Sequence, residues 1–297
     1  MARAVPDLRR LRHFIAVADA GGFTRAAEAL HLSQQALSSS VQQLEKELDA
    51  KLFDRVGRQV TLTRAGRLLL AEGQTLLAAA HTVADHVHRA GAEAEAVFVV
   101  GHTPALSGAE VYTLMDPAIT AFTDASFTFR QMFPDVLVAG VLDGSVHLGL
   151  RRGVVPPSNL AGAVIGYDRV RVAVPADHRL AIRRKVDIHD LVSERIALWA
   201  PPGASYYSDF LMSACRRAGF EPGYQVSRVQ GGATVAAPLT TGAVAFVTTP
   251  AGPAMNGRVM VVELAPVLHV PVQALWQRHT SSAVRDAVVT PRSPVTR

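Results

Sequence analysis

The chain has 297 residues, 49% of them apolar, enough for two domains that each bury a core. Its formal net charge of +5 favours a polyanionic partner, and residues 1–90 carry twelve Lys/Arg against nine Asp/Glu. Cys215 is the one cysteine, which excludes an internal disulfide; MARAVPDLRRLRHF lacks a signal-peptide core and no apolar run reaches transmembrane length, so the cytoplasm is the expected location.

Asp7 precedes LRRLRHFIAVADA and is placed to cap a helix, which Gly21-Gly22 ends. Thr24 is a candidate N-cap for a helix of about two turns reaching Leu30. His31-Leu32 makes a turn, and Ser33 caps a helix from Gln34 to about Leu48. Leu37, Val41, Leu44 and Leu48 form its buried stripe, spaced at four, three and four residues. The other face shows Gln34, Gln35, Ser38, Ser39 and Gln42, which bear hydrogen-bonding groups and no charge. A helix of this kind can enter the DNA major groove, and Gln can pair bidentately with adenine. KLFDRVGRQVTLT then reads as a hairpin with Arg55 and Arg58 flanking its tip, suited to phosphates, as is Arg25.

These residues resemble the DNA-binding domain of the LysR-type transcriptional regulators. The matching runs are LRHFIAVADAGGFTRAAEALHLSQQALSSSVQQLEKEL, KLFDR and VTLTRAG, nearly continuous over residues 7–66. The resemblance implies a winged helix-turn-helix over residues 1–62. It makes the helix from Ser33-Gln34 the recognition helix and puts Arg55 and Arg58 in the wing. Gln35 stands where the family commonly has Pro, and Ser39-Ser40 where a basic residue is common.

Residues 63–90 read as a long linker helix capped by Thr63. Leu69, Leu76 and Val83 repeat every seven residues, with Gly73, Ala80 and Val87 between them. This a/d pattern predicts a dimer helix, with Gly73 and Ala80 allowing close approach of two subunits. Dimerisation would space two recognition helices about one DNA turn apart, as a palindrome requires. His81, His86 and His88 along it lack the i, i+4 spacing of a ligand pair and read as solvated.

GAEAEA (91–96) is a polar hinge into a third segment, 91–297, in which apolar runs alternate with helical stretches and predict an α/β domain with parallel sheets. EVYTLMDPAITAF is expected to be a helix interrupted at Pro117, and DIHDLV a helix. VLDGSVHLGL, VRVAVPADHRLA and TTGAVAFVTTP are similar to the effector-binding domain of the same family. That implies two periplasmic-binding-protein-like α/β lobes, with crossovers near Ala163–Asp168 and Leu264–Val267. His147 replaces an acidic residue of the family pattern, and Pro134 a small hydroxylated one.

Ligands bind beyond the carboxyl ends of strands in open parallel sheets. Those ends give the candidate effector residues His102, Thr103, Pro104, Phe133, Pro134, Arg151, Trp199, Ala200, Pro201, Val229, Gln230 and Thr248. Thr103 offers a hydroxyl donor, Arg151 a partner for a carboxylate, and Trp199 and Phe133 apolar walls.

No catalytic constellation, phosphate cradle, metal motif or dinucleotide fingerprint is present, so neither a cofactor nor an enzyme activity is expected. The expected function is a transcription regulator that binds double-stranded DNA and responds to a small molecule, an organic anion by the chemistry of Thr103 and Arg151. A homodimer or homotetramer is expected, with RNA polymerase as a further partner and no membrane. One alternative is a redox or metal sensor acting through Cys215 or the histidines. Another is a solute-binding or enzymatic protein with an accessory helical domain.

Overall fold

The computed structural model describes residues 5–56, 59–91, 97–227, 234–278 and 280–290. Helix α1 (Leu8–Ala20) starts at Asp7, whose carboxylate accepts from the Arg10 N–H at 2.9 Å, and ends at Gly21 with φ 64°. Only a residue without Cβ takes that left-handed position at no steric cost. Helix α2 (Phe23–Ala29) begins one residue before its expected start. Gly22 is the cap and Thr24 lies inside the first turn, because Phe23 is drawn into the helix by packing edge-on against Phe53. Helix α3 (Gln34–Leu48) is capped by Ser33 as expected, its hydroxyl accepting from the Ala36 N–H at 3.1 Å. Strands β1 (Phe53–Val56) and β2 (Gln59–Leu62) form an antiparallel hairpin. Its expected tip, with Gly57 and Arg58, lies outside the described residues, as does the side chain of Arg55. Leu11, Phe14, Leu37 and Leu44, none of them exposed, centre the core of this module.

Helix α4 (Arg64–Gly91) follows, with the Thr63 hydroxyl accepting from the Gly66 N–H at 2.9 Å. Its faces have separate uses. Leu69 packs on the N-terminal core. A Cβ at Gly73 would lie 2.7 Å from Leu11 Cδ1, so this glycine serves the approach of α1 and not the expected intersubunit seam. Thr75 and Thr82 bond to the second domain, through the Asn159 carbonyl and the Gln277 side chain. Leu76, Val83 and Val87 stay exposed, together with Leu68, while Ala80 is half-buried.

Beyond residue 96, strand β3 (Val97–His102), helix α5 (Gly108–Ala121), strand β4 (Ser126–Gln131), helix α6 (Pro134–Asp143) and strand β5 (Leu148–Arg152) form lobe I. Its strands run parallel in the order β4-β3-β5. Helix α5 passes through Pro117 without the expected interruption. Met115 and Ala118, both buried, hold the helix on its core from either side of the proline, and this packing outweighs the missing N–H.

Strand β6 (Leu160–Pro175) then crosses into lobe II. That lobe contains strands β7 (Lys185–Asp187) and β8 (Arg195–Leu198), helix α7 (Tyr206–Arg217), strand β9 (Gly223–Val226), helix α8 (Ala237–Thr241) and strands β10 (Val244–Val247) and β11 (Gly252–Ala254). The expected DIHDLV helix is only a 3-10 turn, Ile188–Leu191. Strand β12 (Val259–Gln277) returns to lobe I, where helix α9 (Ala283–Val289) packs on α5. Strands β6 and β12 pair antiparallel along their length, from Val259↔Pro175 to Gln277↔Leu160, because one enters lobe II and the other leaves it. The sheet is therefore mixed and continuous, not parallel as the alternation suggests. Both expected crossovers fall on these strands, and the register of the pair shifts between Glu263 and Leu268. Each lobe carries apolar clusters on both sheet faces. Among the described residues no helix is long and apolar enough to cross a membrane.

Candidate functional site: an exposed helix face and an interlobe cleft

The capped start of α3 leaves one face free. Ser33, Gln34, Gln35, Ser39 and Gln42 are exposed and Ser38 is half-buried, while Leu37, Val41 and Leu44 point into the core. Ser40 is turned inward, 2.7 Å from His13 Nδ1 of α1. Burial, with Arg9 and Arg12 nearby, holds His13 below the usual imidazole value. Exposed Thr24 and Arg25 sit at the start of α2, and the Thr24 hydroxyl reaches Gln34 Oε1 at 3.4 Å. Two helix N-termini thus meet on the polar surface, and the positive end of a helix dipole suits phosphate.

The cleft between the lobes holds two chambers. The outer one, about 160 Å³, takes Thr103, Pro134 and Arg151 from lobe I and Trp199, Ser205 and Tyr206 from lobe II. The inner one, about 180 Å³, is lined by Pro104, Glu110, Gln131, Tyr207 and Thr248 among others. Ala105 borders both. Phe133 reaches from lobe I to stack on Trp199 of lobe II, with ring centroids 6.3 Å apart and planes at 27°.

The two arginines at the end of β5 differ in kind. Arg151 Nε donates to Gln273 Oε1 at 2.9 Å and Nη2 to the Val155 carbonyl at 2.8 Å. Among the described residues it has no carboxylate partner, and burial lowers its guanidinium from the usual value. Arg152, with a fully buried side chain, is neutralised twice: Nη2 meets Glu110 at 2.8 Å and Nη1 pairs with Asp168. The sequence places Arg151-Arg152 at a strand end but suggests a ligand role for Arg151 alone, and it does not reveal the carboxylates that meet Arg152. The one readable sign of this cluster was Ser107-x-x-Glu110, a capping box, and the structure forms it at the start of α5.

Other expected cleft residues stand apart. His102 is buried at the end of β3, with Nδ1 3.2 Å from the Thr103 carbonyl, and lines neither chamber, because strand alternation turns it away. Ala200 and Pro201 line neither chamber either, as the chain after Trp199 is drawn to α7 by the Ser208 hydroxyl bonding the Ala200 carbonyl at 2.8 Å. Val229 and Gln230 lie outside the described residues. Cys215 is buried in the lobe II core, and burial pushes its thiol up to about 11. This disfavours the thiolate that redox sensing requires. Among the described residues no three His, Cys, Asp or Glu side chains gather as metal ligands.

A winged helix-turn-helix joined by a long helix to a two-lobed cleft domain defines a DNA-binding regulator with a ligand-binding module. Comparison with known proteins places it further. Residues 8–67 match the bacterial regulatory helix-turn-helix protein model of the lysR family, and residues 91–289 match the LysR substrate binding domain. An uncharacterised HTH-type transcriptional regulator of Escherichia coli K12, YnfL, is 31% identical over 217 residues, 69% of this chain and 70% of that protein. XapR, an HTH-type transcriptional regulator of the same organism, is 29% identical over 73% of each chain. Among solved structures, a full-length OxyR variant of Pseudomonas aeruginosa aligns over 96% of this chain and 97% of its own, with TM-score 0.58 and 20% identity. CbnR, a LysR family transcriptional regulator, aligns over 95% and 98%, with TM-score 0.54 and 22% identity. The chain belongs to the LysR family of bacterial transcription regulators: it is a DNA-binding protein with an effector-binding domain, and the relatives it matches are themselves transcriptional regulators.

Proposed function

We propose that this regulator responds to a small organic anion held in the outer chamber. The observation that carries the reading is Arg151, a partly buried cation without a carboxylate of its own, beside a Thr103 hydroxyl that has no protein partner among the described residues. A desolvated cation gains most from an anionic guest. Trp199 and Pro134 supply the apolar wall, and the chamber's volume of about 160 Å³ is room for a guest the size of benzene, which fills a cavity of about 150 Å³. The protein works by binding and not by catalysis, in the cytoplasm where its DNA lies. Three stretches of the chain divide the work: 1–62 for DNA, 63–90 for dimerisation and 91–297 for the effector.

On the DNA side, Gln34, Gln35, Ser38, Ser39 and Gln42 read base edges, and Thr24, Arg25, Ser33, Arg55 and Arg58 hold phosphates. Leu76, Val83 and Val87 of α4, with Leu68, bury their exposed faces against a second subunit; Ala80 lies beside them, and Leu69 serves its own module. A dimer, or a tetramer made of two, then spans two half-sites, and RNA polymerase is a further partner.

The test is thermal denaturation of the full chain with a panel of small carboxylic acids and uncharged analogues. A cognate acid raises the midpoint by mass action, and Arg151→Ala removes most of that rise while leaving affinity for DNA unchanged. Stabilisation by uncharged compounds alone, equal in Arg151→Ala, would overturn the anion reading.

A further inference from the structure

Arg152 ends β5 in lobe I and lines the outer chamber, while its partners Glu110 and Thr248 line the inner one. Its Nε donates to the Ala105 carbonyl at 3.3 Å, and its Nη2 donates both to Glu110 Oε1 at 2.8 Å and to Thr248 Oγ1 at 3.3 Å. Thr248 belongs to lobe II, just beyond β10, and its hydroxyl donates in turn to the same Glu110 Oε1. The other oxygen, Oε2, accepts from the Ser107 N–H at 2.7 Å and the Ser107 hydroxyl at 2.6 Å. One carboxylate oxygen of Glu110 thus bridges a buried arginine of one lobe and a hydroxyl of the other. A carboxylate ligand joining the two lobes would make the same contacts.

We propose that Glu110 is a built-in counter-ion that takes the place of a ligand carboxylate in the inner chamber, tying the lobes together through Arg152 and Thr248 before any effector binds. Arg152 faces Glu110 and Asp168, which leaves one net negative charge on the cluster; Glu110 is the member of the three that lines the inner chamber, and its carboxylate closes that chamber to anions. Every acceptor site of the Glu110 carboxylate is engaged, so a guest gains nothing there unless that side chain is removed. An effector in the outer chamber then adds to a cleft already joined, and lobe closure does not depend on it. The inference rests on the proposed function only in taking this cleft as the effector site.

Chemical rescue tests it. In the full chain, Glu110→Ala vacates the position between Arg152 and Thr248 and is expected to lower the midpoint of thermal unfolding by about 5–10 °C. Formate at about 100 mM should restore at least half of that loss, saturably, by binding the vacated site. It should do nothing comparable for the parent protein or for Glu110→Ala combined with Arg152→Met. A folded Glu110→Ala protein that formate stabilises no more than the parent overturns the proposal. Thr248→Val covers the case in which Glu110→Ala does not fold, since it keeps the α5 cap and the ion pairs and removes only the lobe II partner. In a Trp276→Phe background, where Trp199 is the one remaining tryptophan, acrylamide quenching of Trp199 should rise with Thr248→Val as the lobes loosen. Unchanged quenching overturns the proposal. Formate rescue in a protein whose parent ignores every organic acid would keep Glu110 as the internal counter-ion and refute the organic-anion effector. A parent response lost in Arg151→Ala, without rescue in Glu110→Ala, would do the reverse.

Discussion

The polar face of α3 and the interlobe cleft are both surfaces for binding, yet they are assembled in different ways. Gln34, Gln35, Ser38, Ser39 and Gln42 share a face because one helix places positions i, i+1, i+4, i+5 and i+8 side by side. The outer chamber takes Thr103 from the end of β3, Pro134 from α6, Arg151 from β5, Trp199 from beyond β8 and Tyr206 from α7. Local geometry brings none of these together; two crossover strands do. A surface on one helix depends on that helix alone, whereas a surface between lobes depends on how the two lobes are held together.

Helix α4 connects the two, and breaking it should have the largest effect. Leu76→Glu puts a charge on an exposed apolar face, so the single subunit should keep its fold. The dimer should be lost, and with it the bivalent hold on a palindromic site, weakening binding by about 100-fold or more. Sedimentation and DNA titration check this; a variant that still sediments as the parent oligomer would place the seam elsewhere. Next in size is Gln34→Ala, which should cost about 1–3 kcal/mol on the specific site and little on random DNA. Equal losses on both DNAs would reassign Gln34 to the backbone contacts, beside Thr24. The smallest effect concerns His13, the buried partner of Ser40 on α3. Its folded pKa lies below the unfolded 6.5, so the unfolded state takes up the proton first as pH falls. The His13 contribution to stability is complete above about pH 6.5 and is lost as pH falls below it. His13→Gln should therefore flatten the pH dependence of unfolding between about pH 5.5 and 7.5, measured by urea titration. His102, held low by burial in lobe I, acts with the same sign in parent and variant and cancels from the comparison. An unchanged slope would show that His13 keeps its ordinary value.

The N-terminal module was legible almost to the residue. Asp7, Gly21, Ser33 and Thr63 mark element ends through contacts spanning at most a few positions, and all four behave as their chemistry requires. The errors there came from packing over distance. Phe23 starts α2 early because Phe53 lies against it, and Gly73, which sits in the heptad pattern, is claimed by Leu11. In the second domain the strand ends pointed to the right cleft but to an incomplete set of side chains. Thr103, Pro134, Arg151 and Trp199 line the outer chamber, and Pro104 and Thr248 the inner one. His102 and Ala200 do not, and the strand end Arg151-Arg152 does not by itself reveal that Arg152 is the more deeply buried of the two.

The sequence by itself determined the capped helices of the DNA module, the apolar stripe of α3 and the division into a helical module, a linker helix and an alternating α/β region. All of these depend on residues close together in the chain, where propensity and periodicity act directly. Only the tertiary structure decided that β6 and β12 run through both lobes, that Arg151 meets no carboxylate among the described residues while Arg152 is neutralised twice, and that Glu110 reaches Thr248 across 138 positions. Such pairings depend on which groups are buried together away from water, and burial is a property of the assembled lobes and not of any one segment.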